Sequence, residues 1–201
     1  MVKQFRVAVL VTLLLMLVTG VLYPLAMTGL AQVIFPDWAD GSLISKDGQT
    51  IGSTLIGQSF VNPVNGQTLP GYFRSRPSAA GTGYDASASS GSNLGPTNAL
   101  LTERIAADAA IIRAENGLSA DAEIPVDLLT TSGSGLDPDI SPASAEMQIP
   151  RVARERNLSE DQVRKLVRQA TSGRTLGFLG EPRVNVLMLN LSLDTLAPLG
   201  P

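Results

Sequence analysis

Cysteine and histidine are both missing from the 201 residues of this chain. Without cysteine there can be no disulfides, no thiol nucleophiles, no zinc–thiolate sites and no lipid anchor on an N-terminal cysteine. Without histidine, Ser-His-Asp triads, the usual zinc ligand sets and the commonest general base are closed off as well. Aromatic residues make up only 4% of the chain, so its core must be built mainly from Leu, Val, Ile and Ala. Positive charge is also scarce beyond the N-terminus: of 15 basic residues, Lys3 and Arg6 come before the first apolar block, leaving 13 against 18 acidic ones. That sign argues against nucleic acid as a partner. The length suits one domain of ordinary size with a small appendage.

What the chain does have is a long uncharged run. No Asp, Glu, Lys or Arg lies between Arg6 and Asp37, roughly 30 positions where about 20 suffice for a helix to cross a bilayer. The run is apolar on all helical faces, and Thr12, Thr19 and Thr28 can bond back to the preceding turn's carbonyls. Pro24 falls near the far end, and Tyr23, Phe35 and Trp38 suit a membrane interface. With Lys3 and Arg6 at the start and Asp37 and Asp40 after the end, the positive-inside bias puts residues 1–6 in the cytoplasm. Residues 7–30 then form a transmembrane helix and residues 37–201 an extracytoplasmic domain. The competing reading is a signal peptide cleaved after Ala31, against which stand the length of the apolar run and the apolar Ile34 and Phe35 beyond the cleavage point.

After the membrane segment, Asp47-Gly48 predicts a hairpin turn, with a β-branched run from Thr50 to Ile56. From Ser75 to Asn98 the chain is rich in Gly, Pro, Ser and Ala with almost nothing large to bury, which predicts a long exposed loop and a contact surface. Leu101, Ile105, Ala109 and Ile112 recur at helical spacing, with Glu103, Arg104, Asp108 and Arg113 on the solvated side and Asn116-Gly117 as the end. Ile124 to Leu129 reads as a strand, followed by a second Gly/Ser/Asp loop. Ser141-Pro142 then opens a helix that either bends at Pro150 or gives way there to a second helix starting near Arg151. Ser159 and Gln162 have capping-box spacing ahead of Val163, Leu166, Val167 and Ala170. Arg183 to Asp194 alternates Leu187, Leu189, Leu191 and Leu193 with Asn190 and Ser192, as a half-buried strand does. The predicted fold class is α+β: a single extracytoplasmic domain with a small sheet, several helices and long Gly/Ser/Pro-rich loops.

Candidate chemistry is sparse. Asp137 and Asp139 form a D-x-D pair that could hold a divalent cation or divide acid and base roles, but Asp before Pro is a common turn former and other calcium-loop ligands are missing. SGSNLGPTN lacks the lysine and hydroxyl of a phosphate-binding loop. Ser132 and Ser134 have no histidine to activate them, and Lys3, Lys46 and Lys165 stand at no recognisable spacing to them. Arg74 and Arg76 are equally suited to gripping an anion and to ion pairing.

The segments YFRSRPSA (Tyr72 to Ala79), Tyr84-Asp85, SGSNLGPTN (Ser90 to Asn98), DLLTTSGSGLDPDISPASA (Asp127 to Ala145), RVARERNL (Arg151 to Leu158) and GRTLGFLGEPRVNVLMLNLSL (Gly173 to Leu193) occur in this order behind one N-terminal span. As an ordered set the chain resembles the C subunits of the Kdp potassium-transporting ATPase. The resemblance implies a non-catalytic accessory subunit in the bacterial inner (plasma) membrane. Its implied partners are a channel-like A subunit, an ATP-hydrolysing P-type B subunit and a small F subunit. In that family the C subunit is described as a catalytic chaperone that raises the B subunit's affinity for ATP, so ATP belongs to the complex and no cofactor is assigned to this chain itself. The motif residues implied as partner-contact loops are Tyr72, Phe73, Arg74, Arg76, Pro77, Ser78, Tyr84, Asp85, Ser92, Asn93, Gly95, Pro96, Thr97, Asn98, Ser132, Gly133, Ser134, Gly135, Asp137 and Pro138. Two other readings stay open: a membrane-anchored extracytoplasmic hydrolase using Asp137 and Asp139, and a binding protein released after Ala31.

Overall fold

Leu, Val and Met on every face leave the N-terminal segment no polar side to turn to water, and it forms one long helix. In a computed structural model, which describes residues 1–62, 64 and 67–199, this helix runs as α1 (Val2–Leu17), a π-helical turn (Val18–Leu22) and α2 (Tyr23–Ile34). It is longer at both ends than the predicted 7–30, and it is long and apolar enough to cross a membrane. The π turn has a local cause. Pro24 has no N–H, and its ring would crowd the carbonyl four residues back, so the helix widens just before it. The Thr19 hydroxyl donates to the Leu15 carbonyl at 2.7 Å, which keeps it satisfied inside the helix. A short helix α3 (Pro36–Ala39) follows, in which Phe35 stacks on Trp38 with centroids 5.5 Å apart. The predicted hairpin is next: β1 (Leu43–Lys46) pairs antiparallel with β2 (Gln49–Ser53) around Asp47 (φ 52°) and Gly48 (φ 77°), the two positive φ angles that a type I′ turn requires. These elements make up one compact unit, Met1–Ser53.

The second unit, Thr54–Pro201, contains the core. Its first helix, α4 (Ala99–Asn116), starts with the Asn98 side chain accepting from Leu100 N at 2.9 Å and ends at Gly117. Ala109 and Ile112 are buried, as the spacing predicts, but Arg104 and Asp108 are half-buried instead of fully solvated. Where a strand is predicted at Ile124–Leu129 there is a single 3-10 turn, Val126–Leu128. Pro125 starts that turn, and the turn presents the Asp127 carboxylate to Ser141 N (2.7 Å) and to the Ser144 hydroxyl (2.7 Å). Asp127 thereby complements the N-terminus of α5 (Pro142–Glu155), a contact that a straight strand is not built to make. Helix α5 runs unbroken through Pro150, which lies on its exposed face, where solvent can replace the missing donor. Helix α6 (Glu160–Gln169) has the full capping box of Ser159 and Gln162.

A three-stranded antiparallel sheet closes the unit, in the order β3 (Asp139–Ile140), β5 (Arg183–Asn185), β4 (Thr171–Ser172). The predicted strand over Arg183–Asp194 is corrected here. Only its first three residues are a strand, and from Val186 to Leu196 the chain is helix α7. The alternating leucines fit a strand, but Val186, Leu189, Asn190 and Leu193 also fit one helical face, and those four are buried. Asn185 decides the matter locally: its side chain accepts from Met188 N at 3.0 Å and caps a helix at the strand's end. Around the sheet, Phe73, Ile112, Leu128, Ile149, Val163 and Leu193 all belong to one buried cluster. Phe73 is its one fully buried aromatic side chain.

Candidate functional site

The stretch from Tyr72 to Arg76 belongs to no helix or strand, so its backbone groups must be satisfied in another way. Side chains supply the partners. The amide of Asn190 on α7 accepts from Phe73 N (2.9 Å) and donates to Phe73 O (3.0 Å), as a neighbouring strand would. Gln148 on α5 does the same one residue on, accepting from Arg74 N (2.7 Å) and donating to Arg74 O (3.3 Å). Both amides are fully buried, so losing either would leave the segment's peptide groups without partners in a dry interior.

Two buried arginines, Arg151 on α5 and Arg156 just after its end, hold the approach to this stretch. Arg151 donates to Pro70 O (2.6 Å), Tyr72 O (2.9 Å), Asn116 Oδ1 (3.1 Å) and Gln148 Oε1 (2.8 Å). Burial lowers its pKa to about 10, so it remains charged near neutrality. Arg156 donates to Gly71 O (2.6 Å), Ala197 O (2.8 Å) and Asp194 Oδ1 (2.8 Å), and its guanidinium lies 4.7 Å from the centre of the Tyr72 ring. Tyr72 is itself stacked on Phe60.

The two arginines of the motif are also taken up internally. Arg74 is flanked by Glu115 (3.6 Å) and Asp108 (4.0 Å). Arg76 bonds Asp137 Oδ2 at 2.9 Å and points its remaining donors at the carbonyls of Thr130 and Thr131. Asp139 pairs with Arg183 at 2.9 Å, so each carboxylate of the D-x-D pair has its own arginine, and Asp137 Oδ1 also accepts from Asp139 N (3.0 Å), a local turn bond. Burial pushes the Asp139 carboxyl up, with the charge of Asp137 adding to the rise and Arg183 opposing it.

The two Gly/Ser loops are fastened to each other. The Ser78 hydroxyl donates to Gly135 O (2.6 Å) and accepts from Tyr84 N (2.8 Å), and Tyr84 donates its phenol to Arg76 O (2.8 Å). Ser90 N donates to Ser134 O (2.9 Å), and Thr131 donates to Ser92 Oγ (3.1 Å). Ser132 accepts from Gly135 N at 2.8 Å. Gly135 is the tightest point: its φ is 68°, and a Cβ there would lie 2.5 Å from Ser90 O and 2.8 Å from Ala80 N. The loop predicted to be exposed from Ser75 to Asn98 is therefore partly interior, with Ser75 and Ala80 buried. Asp85 makes a local turn, accepting from Ser87 N at 2.9 Å and from its hydroxyl. Of the motif residues, Asn93, Gly95, Pro96, Thr97, Gly133 and Ser134 are exposed, while Phe73, Ser132 and Gly135 are buried. Tyr72, Arg74, Arg76, Pro77, Ser78, Tyr84, Asp85, Ser92, Asn98, Asp137 and Pro138 lie between these extremes.

Gln148, Arg151, Arg156, Asn190 and Asp194, which position the Tyr72–Arg76 stretch, are the residues that sequence reasoning missed as a working set. The available signal was their spacing. Ser144, Gln148 and Arg151 share one face of α5 and all three are buried, so polar side chains stand where an amphipathic helix should be apolar. Among the described residues no group of three or more Asp and Glu side chains is placed to hold a metal ion.

The geometry is that of a scaffold holding polar loops in a fixed form, and the likeness to known proteins runs along the whole of it. Residues 5–195 match the family described as K+-transporting ATPase, c chain. A protein of Koribacter versatilis (strain Ellin345), described as potassium-transporting ATPase KdpC subunit, is 54% identical over 198 residues, covering 98% of this chain and 97% of its own. Proteins of the same description from Rhodopseudomonas palustris (strain BisB5) and Mycobacterium tuberculosis (strain ATCC 25618 / H37Rv) are each 52% identical, covering 96% of this chain and 98% and 99% of their own. The chain belongs to the family of the C chain of the K+-transporting ATPase.

Proposed function

We propose that the chain is a non-catalytic accessory subunit of an ATP-driven potassium uptake complex in the bacterial inner membrane. In this reading residues 7–30 are the transmembrane anchor, residues 1–6 are cytoplasmic, and residues 37–201 lie on the outer face, docked to the channel-like A subunit and assembled with the B and F subunits. The observation that carries the proposal is the nearly end-to-end likeness to C chains of potassium-transporting ATPases. Two physical facts support the topology: every residue of the long apolar helix is exposed except the half-exposed Ala31, and its cations, Lys3 and Arg6, stand at one end.

A domain on the outer face is a hydrocarbon thickness, about 30 Å, from cytoplasmic ATP. Any rise in the B subunit's affinity for ATP therefore passes through the subunits or the anchor. Arg74 and Arg76 agree with an indirect effect, because both are already paired with carboxylates. The exposed motif residues Asn93, Gly95, Pro96, Thr97, Gly133 and Ser134 form the polar part of the contact surface.

The chain has no native cysteine, so one placed at the exposed Ser89 is the only thiol to label. A membrane-impermeant maleimide should modify Ser89→Cys in intact spheroplasts, and assembly with the A subunit should protect it. Labelling only after lysis would overturn the topology. Saturable ATP binding by the chain alone, lost on Arg74→Gln or Arg76→Gln, would overturn the indirect route.

A further inference from the structure

Between Gly173 and Glu181 the chain leaves the sheet and returns to it with every one of its residues exposed. At the tip, Leu176 is 79% exposed, Phe178 68% and Leu179 50%. Elsewhere among the described residues of this unit, exposed large apolar side chains come in ones and twos along the chain. Three together are a concentration of apolar surface that the fold itself leaves uncovered.

The excursion is nonetheless built to a fixed shape. Thr175 N donates to Leu179 O (2.8 Å) and Leu179 N to Thr175 O (2.9 Å), while Gly177 N donates to Arg174 O (3.1 Å). Arg174 and Glu181 clamp the base at 2.6 Å. Leu176 is held at φ 53°, in the left-handed region that a leucine seldom adopts. The tip is thus ordered before it meets anything, and a contact made there loses little further entropy.

The surroundings select the occupant. A bilayer surface attracts apolar tips that carry unmatched basic residues beside them. Here the two flanking cations are matched, Arg174 by Glu181 and Arg183 by Asp139. A charge-neutral, preformed turn with two leucines and a phenylalanine is the kind of anchor that fills a shaped apolar pocket. We infer that the Leu176–Leu179 tip is the apolar anchor by which this chain plugs into a pocket on another subunit of the same ATPase assembly. The inference rests on the reading of the chain as an accessory subunit, and adds the segment and the chemistry of the contact.

The test uses the full chain co-expressed with the other subunits and purified through a tag in detergent. Phe178→Ser is expected to lower the co-purified partner by about tenfold or more, while Phe178→Leu retains it and the chain's own thermal unfolding is unchanged in both. A photoreactive p-benzoylphenylalanine at position 178 is expected to form its adduct on a protein subunit. Unreduced co-purification of Phe178→Ser, or an adduct confined to lipid, would overturn the inference and leave the accessory-subunit reading standing. If the unsubstituted chain recovers no partner at all, that reading fails and the inference with it. The cross-link decides the matter even where Phe178→Ser perturbs folding.

Discussion

The stretch from Tyr72 to Arg76 and the turn from Gly173 to Glu181 are both irregular and both lie in segments that carry the family resemblance, yet they are solvated in opposite ways. The first is polar by composition and lies inside, because Asn190, Gln148 and Arg151 meet its peptide groups and Arg156 holds the carbonyl of Gly71 just before it. The second carries two leucines and a phenylalanine and lies outside, because its peptide groups bond to one another and leave the side chains free. Composition does not decide whether a loop is interior. What decides it is whether the rest of the chain supplies donors and acceptors at the right spacing.

The sharpest way to break this contrast is to remove a guanidinium from the interior stretch. The Arg156 side chain is fully buried and holds the Asp194 carboxylate and two carbonyls, with the Tyr72 hydroxyl as a second donor to that carboxylate. Arg156→Ala should cost about 2–4 kcal/mol, since it strands two carbonyls and takes the cation from the Asp194 carboxylate, measured by denaturant unfolding of the full chain in micelles. A loss below about 1 kcal/mol, the range of surface pairs, would mean that the stretch is not held from within. Asn190→Leu keeps much of the volume and removes both bonds to Phe73. About 2–4 kcal/mol should go with it, and hydrogen exchange at the Phe73 amide should accelerate by more than at the Ile112 amide.

Helix ends announced themselves in the sequence more clearly than anything else. Ser141 and Ser159 cap where their side chains are expected to, because capping is a contact over two or three residues and needs nothing distant. The hairpin at Asp47-Gly48 was legible for the same reason. Val186–Leu196 was not, since its leucines satisfy two periods at once and the choice falls to Asn185 and to the distant Phe73, whose peptide group Asn190 must reach. Ile124–Leu129 failed on a similar ground, because Asp127 is drawn to Ser141 and Ser144 on the next helix. The motif residues were visible as a set, but their division into buried braces and exposed surface depends on partners more than 50 residues away, such as Arg76 on Asp137 and Ser78 on Gly135.

Tyr84 sharpens the contrast through pH. Burial pushes its phenol up to about 12, from an ordinary value near 10. A group whose pKa rises on folding gives stability that is complete below the unfolded value and disappears as pH climbs through the folded one. The loss should fall between about pH 10 and pH 12 and amount to about 2–3 kcal/mol. Tyr84→Phe lacks the proton and also the bond to Arg76 O, so it should be weaker than the unsubstituted chain by about 1 kcal/mol at pH 8. The two denaturation midpoints should then converge and cross between about pH 10 and pH 11, and stand reversed as the pH nears 12. Parallel curves over that range would mean that the phenol is solvated and the loop around it open.

The smallest effect belongs to the exterior turn, and there its sign matters more than its size. Leu176 is mostly exposed and sits at φ 53°, so replacing it removes little burial and relieves a backbone strain. Glycine adopts that conformation freely but gains freedom in the unfolded chain, and the two terms oppose each other. Leu176→Gly should therefore leave the chain unchanged or more stable by about 0.5 kcal/mol, where a comparable truncation in the interior costs several times more in the other direction. If the tip is an anchor, the same substitution weakens recovery of the partner subunits while the chain itself unfolds no earlier. A leucine that served only the fold could not separate the two measurements in that direction. A strained, solvent-facing leucine kept at the expense of stability is what an interface requires and a loop alone does not.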